Sequence, residues 1–329
     1  MNIVLNLFIV LLVAITLAPL LPSKHWAVRV WEFPRLQIAA LIFIALIAKT
    51  WTLSQADADS NALYDYAALA CLLVAFLYQL KWIVPYTLFY KSEVRREKAP
   101  NKNHTISILS SNVFMPNKHY DALRTEVEKH KPDFLVMLES NKRWEENIAC
   151  IEGDYPYTKH CPLENLYGMH LYSKYPFSEV SLRFLIEDDV PSIRLTFTKN
   201  NQKVTLFFLH PKPPSPTENE TAGPRDAELL LVGKEVANTD GPVIVAGDLN
   251  DVAWSPTTRK FKKISGLLDP RIGRAFYNTF HAHYPLVKWP LDHVFHSDHF
   301  DLVHVKKLPD IGSDHFPLLT VLSLKQTNG

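Results

Sequence analysis

The sequence predicts an α/β (α+β) layered domain preceded by transmembrane helices, and three observations carry that prediction. Long apolar runs concentrate in the first ninety positions. Beyond Asn101, short apolar runs alternate with amphipathic stretches and turns. Few of those short runs read as hairpin pairs, which favours layers of strands and helices over an all-β architecture. Composition therefore divides the chain into residues 1–100, expected to be a membrane anchor, and residues 101–329, a soluble domain large enough to bury a core without covalent staples.

The first apolar run, residues 3–21, carries no charge and has the length of a spanning helix. A cleaved signal peptide would show a basic leading region and a shorter apolar stretch, whereas this chain begins Met-Asn-Ile, so a retained helix is expected. The second run, residues 36–53, is interrupted by Lys49, whose long side chain is expected to snorkel to the headgroups while Trp51 sits at the interface. The third, residues 66–80, runs into an aromatic and basic boundary at Lys81, Trp82 and Tyr86. A buried hairpin of a soluble protein is the alternative for the second and third runs.

Lys24, Arg29 and Arg35 stand against Glu32 in the first connecting loop, Asp57, Asp59 and Asp65 fill the second, and Lys91, Arg95, Arg96, Lys98 and Lys102 follow the third run. With three crossings both basic segments fall on one side, and the positive-inside rule puts the soluble domain in the cytoplasm. The runs lack the intramembrane acidic residues that would mark an ion path, which argues against a transporter.

The first hundred residues hold 9 of the 35 basic and 6 of the 34 acidic side chains, leaving 26 against 28 in the soluble part. That balance does not suit sequence-independent coating of DNA, which relies on phosphate neutralisation by Lys and Arg. Cys71, Cys150 and Cys161 form no CxxC pair, so neither a disulfide framework nor a cysteine-based zinc site is expected.

Within the soluble part, residues 106–109, 134–138, 204–209 and 243–246 read as strands, and residues 120–130 and 227–236 as helices. Polar residues stand at the ends of the strand-like runs: Asn112, Glu139, His210, Asp248 with Asn250, then Asp292 behind Leu291, and Asp314-His315 before Phe316. Each alone reads as a cap or an Asx turn. Together they have the distribution of reactive groups held on loops by a rigid scaffold.

The ordered set Ser111-Asn112-Val113, Leu138-Glu139-Ser140, Tyr167-Gly168 before Leu171-Tyr172-Ser173-Lys174-Tyr175-Pro176, Leu209-His210, Gly247-Asp248-Leu249-Asn250, Leu291-Asp292-His293 and Gly312-Ser313-Asp314-His315-Phe316-Pro317 resembles the endonuclease/exonuclease/phosphatase superfamily over about residues 104–323. The superfamily often has Arg where Lys174 stands. The proline-rich segment after His210 is similar to membrane-anchored bacterial members. The resemblance implies a four-layer sandwich of two mixed sheets with helices outside, and hydrolysis of a phosphodiester or phosphomonoester in a nucleic acid or a lipid or small-molecule headgroup.

It also implies roles. Glu139, supported by Asn112 and Asp314, would hold Mg²⁺ or Mn²⁺, hard ions suited to carboxylate oxygens. Asp248 would orient or deprotonate the attacking water, and Asn250 would hold the developing phosphorane. His315 would contact the scissile phosphate and titrate near neutrality with Asp292 fixing its tautomer, and His210 would contact phosphate or donate a proton. His170, His281 and His283 have no comparable context and read as structural. A non-catalytic binding domain that kept the fold is the rival from another class, and it has no need of Glu139, Asp248, Asn250, Asp292 and His315 together.

Overall fold

The computed structural model describes residues 2–55 and 62–326. Helices α1 (Asn2–Leu17), α3 (Arg35–Ser54) and α4 (Ala62–Ile83) pack on one another, and a single-turn helix, α2 (Trp26–Arg29), lies in the loop between the first two. The stretches Ile3–Leu20, Arg35–Ser54 and Leu63–Tyr86 are long and apolar enough to cross a membrane. Their outer faces carry exposed Leu7, Val10, Phe43, Ile44, Val74 and Leu77, while Ile9, Leu12, Ile38, Ile42 and Leu72 fill the seam between them.

Polar side chains tie the three helices together at both ends. Where α3 begins and α1 and α4 end, Arg35 donates to Gln79 at 3.1 Å and Gln79 donates to Thr16 at 3.1 Å. At the other end Lys49 donates to Asn6 at 3.0 Å and to Asp65 at 2.6 Å. Lys49 is thus 2% exposed and does not snorkel outward. A carboxylate in the first turn of α4 and an amide on α1 neutralise and saturate it within the bundle, which costs less than stretching an unpaired ammonium past its neighbours. Asp57 and Asp59 lie outside the described residues.

The remaining chain folds as β1 (Thr105–Asn112), α5 (Tyr120–His130), β2 (Phe134–Leu138), α6 (Lys142–Ile148), β3 (Tyr157–Cys161), β4 (Met169–Ser173), β5 (Phe177–Phe184), β6 (Pro191–Lys199), β7 (Gln202–Leu209), α7 (Gly223–Ala237), β8 (Val243–Asp248), α8 (Pro256–Ser265), β9 (Asp292–His296), β10 (Phe300–Lys307) and β11 (Leu318–Leu324). One mixed sheet has the order β10-β11-β1-β2-β4-β3 and the other β5-β6-β7-β8-β9.

Strand alternation builds the layers. Ile106, Ile108, Phe134 and Val136 from the first sheet meet Ile193, Leu195, Leu206 and Ile244 from the second in one inner core. The opposite faces receive the helices: Leu109, Leu135 and Met137 pack on α5 and α6, and Phe207, Val245 and Phe295 on α7 and α8. The architecture is therefore two mixed sheets face to face with helices outside. Burial of each such large apolar side chain is worth about 1.5–3 kcal/mol.

Hairpins are commoner than the apolar pattern indicates. The pairs β3–β4, β5–β6, β6–β7 and β10–β11 are antiparallel neighbours in sequence, and among the described strands only β1–β2 and β7–β8 pair in parallel. The two parallel pairs matter most for the site. Each sends the carboxyl ends of two strands to one edge, where ligands bind in open α/β sheets.

Candidate active site

Glycine sets the local geometry at two of these strand ends. A Cβ on Gly247, whose φ is +136°, would fall 2.1 Å from the Leu209 carbonyl oxygen, so the ends of β7 and β8 approach this closely only with glycine. A Cβ on Gly168 would fall 1.8 Å from the Ser140 carbonyl oxygen, where the start of β4 presses on the turn that carries Glu139. Glu139 and Asn250 themselves occupy left-handed backbone at φ +56° and +49°, a conformation that costs of order 1 kcal/mol or more in non-glycine residues and clusters at functional positions.

The sheet edges bring the candidate residues together. Asn112, ending β1, donates through Nδ2 to Glu139 Oε1 at 2.7 Å and to Asp248 Oδ2 at 3.2 Å, bridging the two sheets. Asp248 is fully buried and faces Asp292 across the β8–β9 ladder. The Asn250 amide N–H donates to Asp248 Oδ1 at 2.9 Å, and its side chain is anchored on the Pro211 carbonyl at 3.0 Å. His315 donates from Nδ1 to Asp292 Oδ2 at 2.8 Å and places Nε2 3.5 Å from Asp248 Oδ2. His210 Nε2 stands 3.9 Å from the same oxygen, with the Tyr167 ring beside it. Ser313 Oγ donates to the Asn112 carbonyl at 2.8 Å, holding the Asp314-His315 turn against β1.

Crowding of carboxylates sets the electrostatics. Burial, with Asp314 and Asp248 nearby, raises the Glu139 pKa to about 8 against the pull of the Asn112 amide and His315. Burial likewise raises Asp248, opposed mainly by His315. For His315 burial disfavours the charge, yet Asp248 and Asp292 outweigh it and carry the pKa up to about 10. The imidazolium thus persists well above neutrality instead of titrating near it, because two buried carboxylates face the ring where the sequence reading assigned one. His210, desolvated with only Asp248 in its favour, is depressed to about 4 and is neutral.

Among the described residues two groups of side chains lie close enough to chelate a metal, each with ligand atoms within 4.8 Å of one another: Asp248, Asp292 and His315 at this edge, and Glu145, His160 and His170 between α6 and the β3–β4 pair. Around the first group, Asp292 Oδ1 and His210 Nδ1 are buried without a hydrogen-bond partner among the described residues. Four carboxylates, Glu139, Asp248, Asp292 and Asp314, surround one imidazolium, and this excess of negative charge and open oxygen lone pairs fits a divalent cation.

The residues open into a cavity of about 410 Å³ whose chemical side is lined by Glu139, Asn250, Asp314 and His315. Its other walls include Pro213 and Pro214, the rings of Phe280 and Trp289, and Trp26, Val30 and Phe33 from the loop between α1 and α3. Sequence reasoning missed these last three residues, because a basic and aromatic loop between two candidate spans reads as a membrane boundary and nothing marks it as active-site wall.

Support behind the site was also missed. His293 accepts from Arg271 at Nδ1, at 2.7 Å, and donates from Nε2 to the Asp251 carbonyl at 2.8 Å, which fixes its tautomer, while burial and the Arg271 charge lower its pKa and keep it neutral. Fully buried Arg225 donates to the Asn250 carbonyl at 2.7 Å and to Asp226 at 3.0 Å, and lies 3.3 Å from Asp251.

Facing sheet ends that hold paired carboxylates and histidines, with two groups able to chelate a metal, define a metal-dependent hydrolase of phosphoester bonds. The chain belongs to the Endonuclease/Exonuclease/phosphatase family, whose sequence profile matches residues 109–315. Similar structures include D. rerio TDP2 in complex with a single-strand DNA product, at 17% identity and TM-score 0.54, covering 67% of this chain and 99% of that one. The human Nocturnin catalytic domain with bound sulfate is 15% identical with TM-score 0.56, covering 73% and 99%. Truncated Caenorhabditis elegans TDP2 is 17% identical with TM-score 0.53, covering 68% and 99%. At these identities the likeness carries the fold. No curated protein sequence matches the chain.

Proposed function

We propose that this chain is a membrane-tethered, divalent-metal-dependent phosphoesterase of the membrane-anchored bacterial type. Residues 1–100 form a three-helix anchor, and residues 101–329 form a catalytic domain on the cytoplasmic side. The observation that carries the reading is the convergence of Asn112, Glu139, Asp248, Asp292 and His315 within hydrogen-bond reach of one another.

Glu139, with Asn112 and Asp314 beside it, would hold Mg²⁺ or Mn²⁺. When bound, the ion supplies charge neutralisation to the phosphoryl oxygens. Asp248 accepts the proton of the attacking water and is held in place by the Asn112 and Asn250 amides. His315, kept cationic and oriented by Asp292, pairs with the phosphate through Nε2. Asn250 places its side chain at the cavity wall beside the reacting phosphorus, and neutral His210 contributes an N–H to a phosphoryl or leaving oxygen. The substrate is a phosphodiester or phosphomonoester, drawn from nucleic acid or from lipid and small-molecule headgroups.

The test is hydrolysis of a chromogenic phosphodiester by the full chain. EDTA should abolish turnover and Mg²⁺ or Mn²⁺ should restore it. Glu139→Gln should fold normally yet lose the metal-dependent rate, and unchanged turnover in that variant at saturating Mg²⁺ would remove Glu139 from the site.

Orientation is tested separately by fusing alkaline phosphatase or a fluorescent protein after Gly329. The basic segments flanking the acidic loop predict a bright fluorescent fusion and an inactive phosphatase one. The opposite pair of results would put the domain outside and sink the three-crossing arrangement.

A further inference from the structure

The loop between α1 and α3 is bound to the catalytic domain along its length. Trp26 N–H donates to the Glu220 carbonyl at 3.0 Å, and Ala222 N–H donates to the Lys24 carbonyl at 2.8 Å, so the loop continues the proline-rich rim of the cavity. Farther on, Arg29 donates to Thr257 at 3.3 Å and Trp254 Nε1 donates to the Glu32 carbonyl at 2.7 Å. Phe33 meets Trp289 edge to face at 5.4 Å. These contacts fix Trp26, Val30 and Phe33 as an apolar wall of the cavity that also contains Glu139 and His315.

The wall lies where two long apolar helices end and begin. Leu20 and Leu21, directly before the loop, are each 59% exposed, and Val30 on it is 40% exposed. In the segment between the cavity-lining rings of Phe280 and Trp289, Leu286 is 80% exposed, and its carbonyl accepts a 2.8 Å bond from Gln37 in the first turn of α3. The loop before α3 and the segment bonded to its first turn therefore both present apolar side chains near the helix ends, which in a bilayer is the interface. A water-borne nucleotide can stack a base on such rings, but only an amphiphile lying in the leaflet also uses the exposed apolar side chains at the helix ends.

We propose that Trp26, Val30 and Phe33 form an apolar subsite that takes the hydrophobic portion of a bilayer-resident phosphoester lipid, whose phosphate enters the catalytic cavity laterally from the membrane surface. The inference rests on the phosphoesterase reading above. The anchor is then part of the active site, and removing residues 1–100 would remove one wall of it. Apolar contact at the subsite positions the phosphate, so its loss acts on turnover of the lipid and much less on a small diester that never reaches the wall.

The experiment uses the full chain in detergent micelles and in nanodiscs with Mg²⁺ or Mn²⁺. Three probes are compared: bis(p-nitrophenyl) phosphate, a single-stranded oligonucleotide, and phosphatidylethanolamine vesicles containing phosphatidylglycerol and phosphatidic acid, with release of headgroup or inorganic phosphate measured. Wild-type protein should hydrolyse at least one vesicle lipid and prefer it to the oligonucleotide. Trp26→Ala and, at a half-exposed position that tolerates change, Val30→Asp should each lower the ratio of lipid rate to chromogenic rate by tenfold or more. The chromogenic rate in the same preparations reports that each variant is folded. Hydrolysis of the chromogenic diester without any vesicle lipid, a preference for the oligonucleotide, or equal losses on both substrates in the variants would overturn the subsite while leaving the phosphoesterase standing. Hydrolysis of none of the probes would overturn both.

Discussion

His315→Ala and Asp292→Asn are each expected to lower kcat by on the order of 10²-fold or more, since a positioned acid–base group typically contributes about 10²–10⁴-fold. The two side chains are 23 positions apart in sequence, and the fold joins them through a 2.8 Å bond from Nδ1 to Oδ2 with both groups buried. That bond leaves Nε2 as the only ring nitrogen free to meet phosphate. Asp292→Asn preserves shape but presents an amide that can donate to Nδ1, inviting the wrong tautomer and withdrawing one of the two carboxylates that keep the ring cationic. Because the pair acts as one unit, the double variant should be little worse than the worse single variant. Steady-state kinetics on the chromogenic diester at fixed Mg²⁺ measures the cycle. Losses that multiply would mean that Asp292 and His315 act independently, and the geometry assigned to the site would be wrong.

Glu139 and Asp248 were legible because each follows a run of buried apolar residues. Leu135 to Leu138 before Glu139 and Val243 to Ala246 before Asp248 stand out on any pattern of hydrophobicity. Strand β5 was overlooked although Val180, Leu182 and Phe184 alternate with Ser181 and Arg183: a bulge between Phe177 and Glu179 shortens the pattern, and the strand lies at a sheet edge with half of its side chains in water. One signal for its neighbours was present and unused. Asn200 and Asn201 both adopt positive φ, at 49° and 63°, and Lys199 pairs with Gln202, which is the two-residue hairpin that an Asn-Asn pair announces.

The pKa of His315 was misjudged for a related reason. The resemblance implied Asp292 as its partner, but only the three-dimensional juxtaposition of the two sheets adds Asp248 at 3.5 Å. Trp26, Val30 and Phe33 were hidden differently, since composition assigned them to the anchor and gave no sign that a loop between apolar helices would return to line the catalytic cavity. Arg225 had no signal at all, because a lone arginine in the first turn of an ordinary helix reads as solvated.

Arg225→Met is expected to destabilise the protein by about 3–5 kcal/mol, the usual cost of removing one partner from a buried charge cluster. The guanidinium is fully buried in α7, where it holds the Asn250 carbonyl and Asp226 and lies beside Asp251. Asp251 is itself buried and is tied by Thr258 at 3.0 Å and by Ser255, so it cannot swing out to water when its counter-charge disappears. Glu32, buried in the loop between α1 and α3, adds a third acidic group to the cluster. Burial and Asp251 push its pKa up to about 7 against the pull of Arg29, Arg225 and Arg35, so losing one of these cations raises the cost of its charge further. Methionine matches much of the arginine volume, which makes the loss mainly electrostatic. At about 2–4 °C per kcal/mol for a domain of this size, the apparent melting midpoint should fall by about 10 °C. Arg225→Lys should recover only part of that, because an ammonium cannot span the carbonyl and two carboxylates as the planar fork does. Activity should fall as well in Arg225→Met, since the carbonyl it holds belongs to Asn250, whose amide N–H positions Asp248. Thermal melts and chromogenic rates of the three proteins in one detergent decide the matter: a melting midpoint for Arg225→Met within about 2 °C of wild type, with unchanged kcat, would show that the Asn250 loop holds its shape without Arg225.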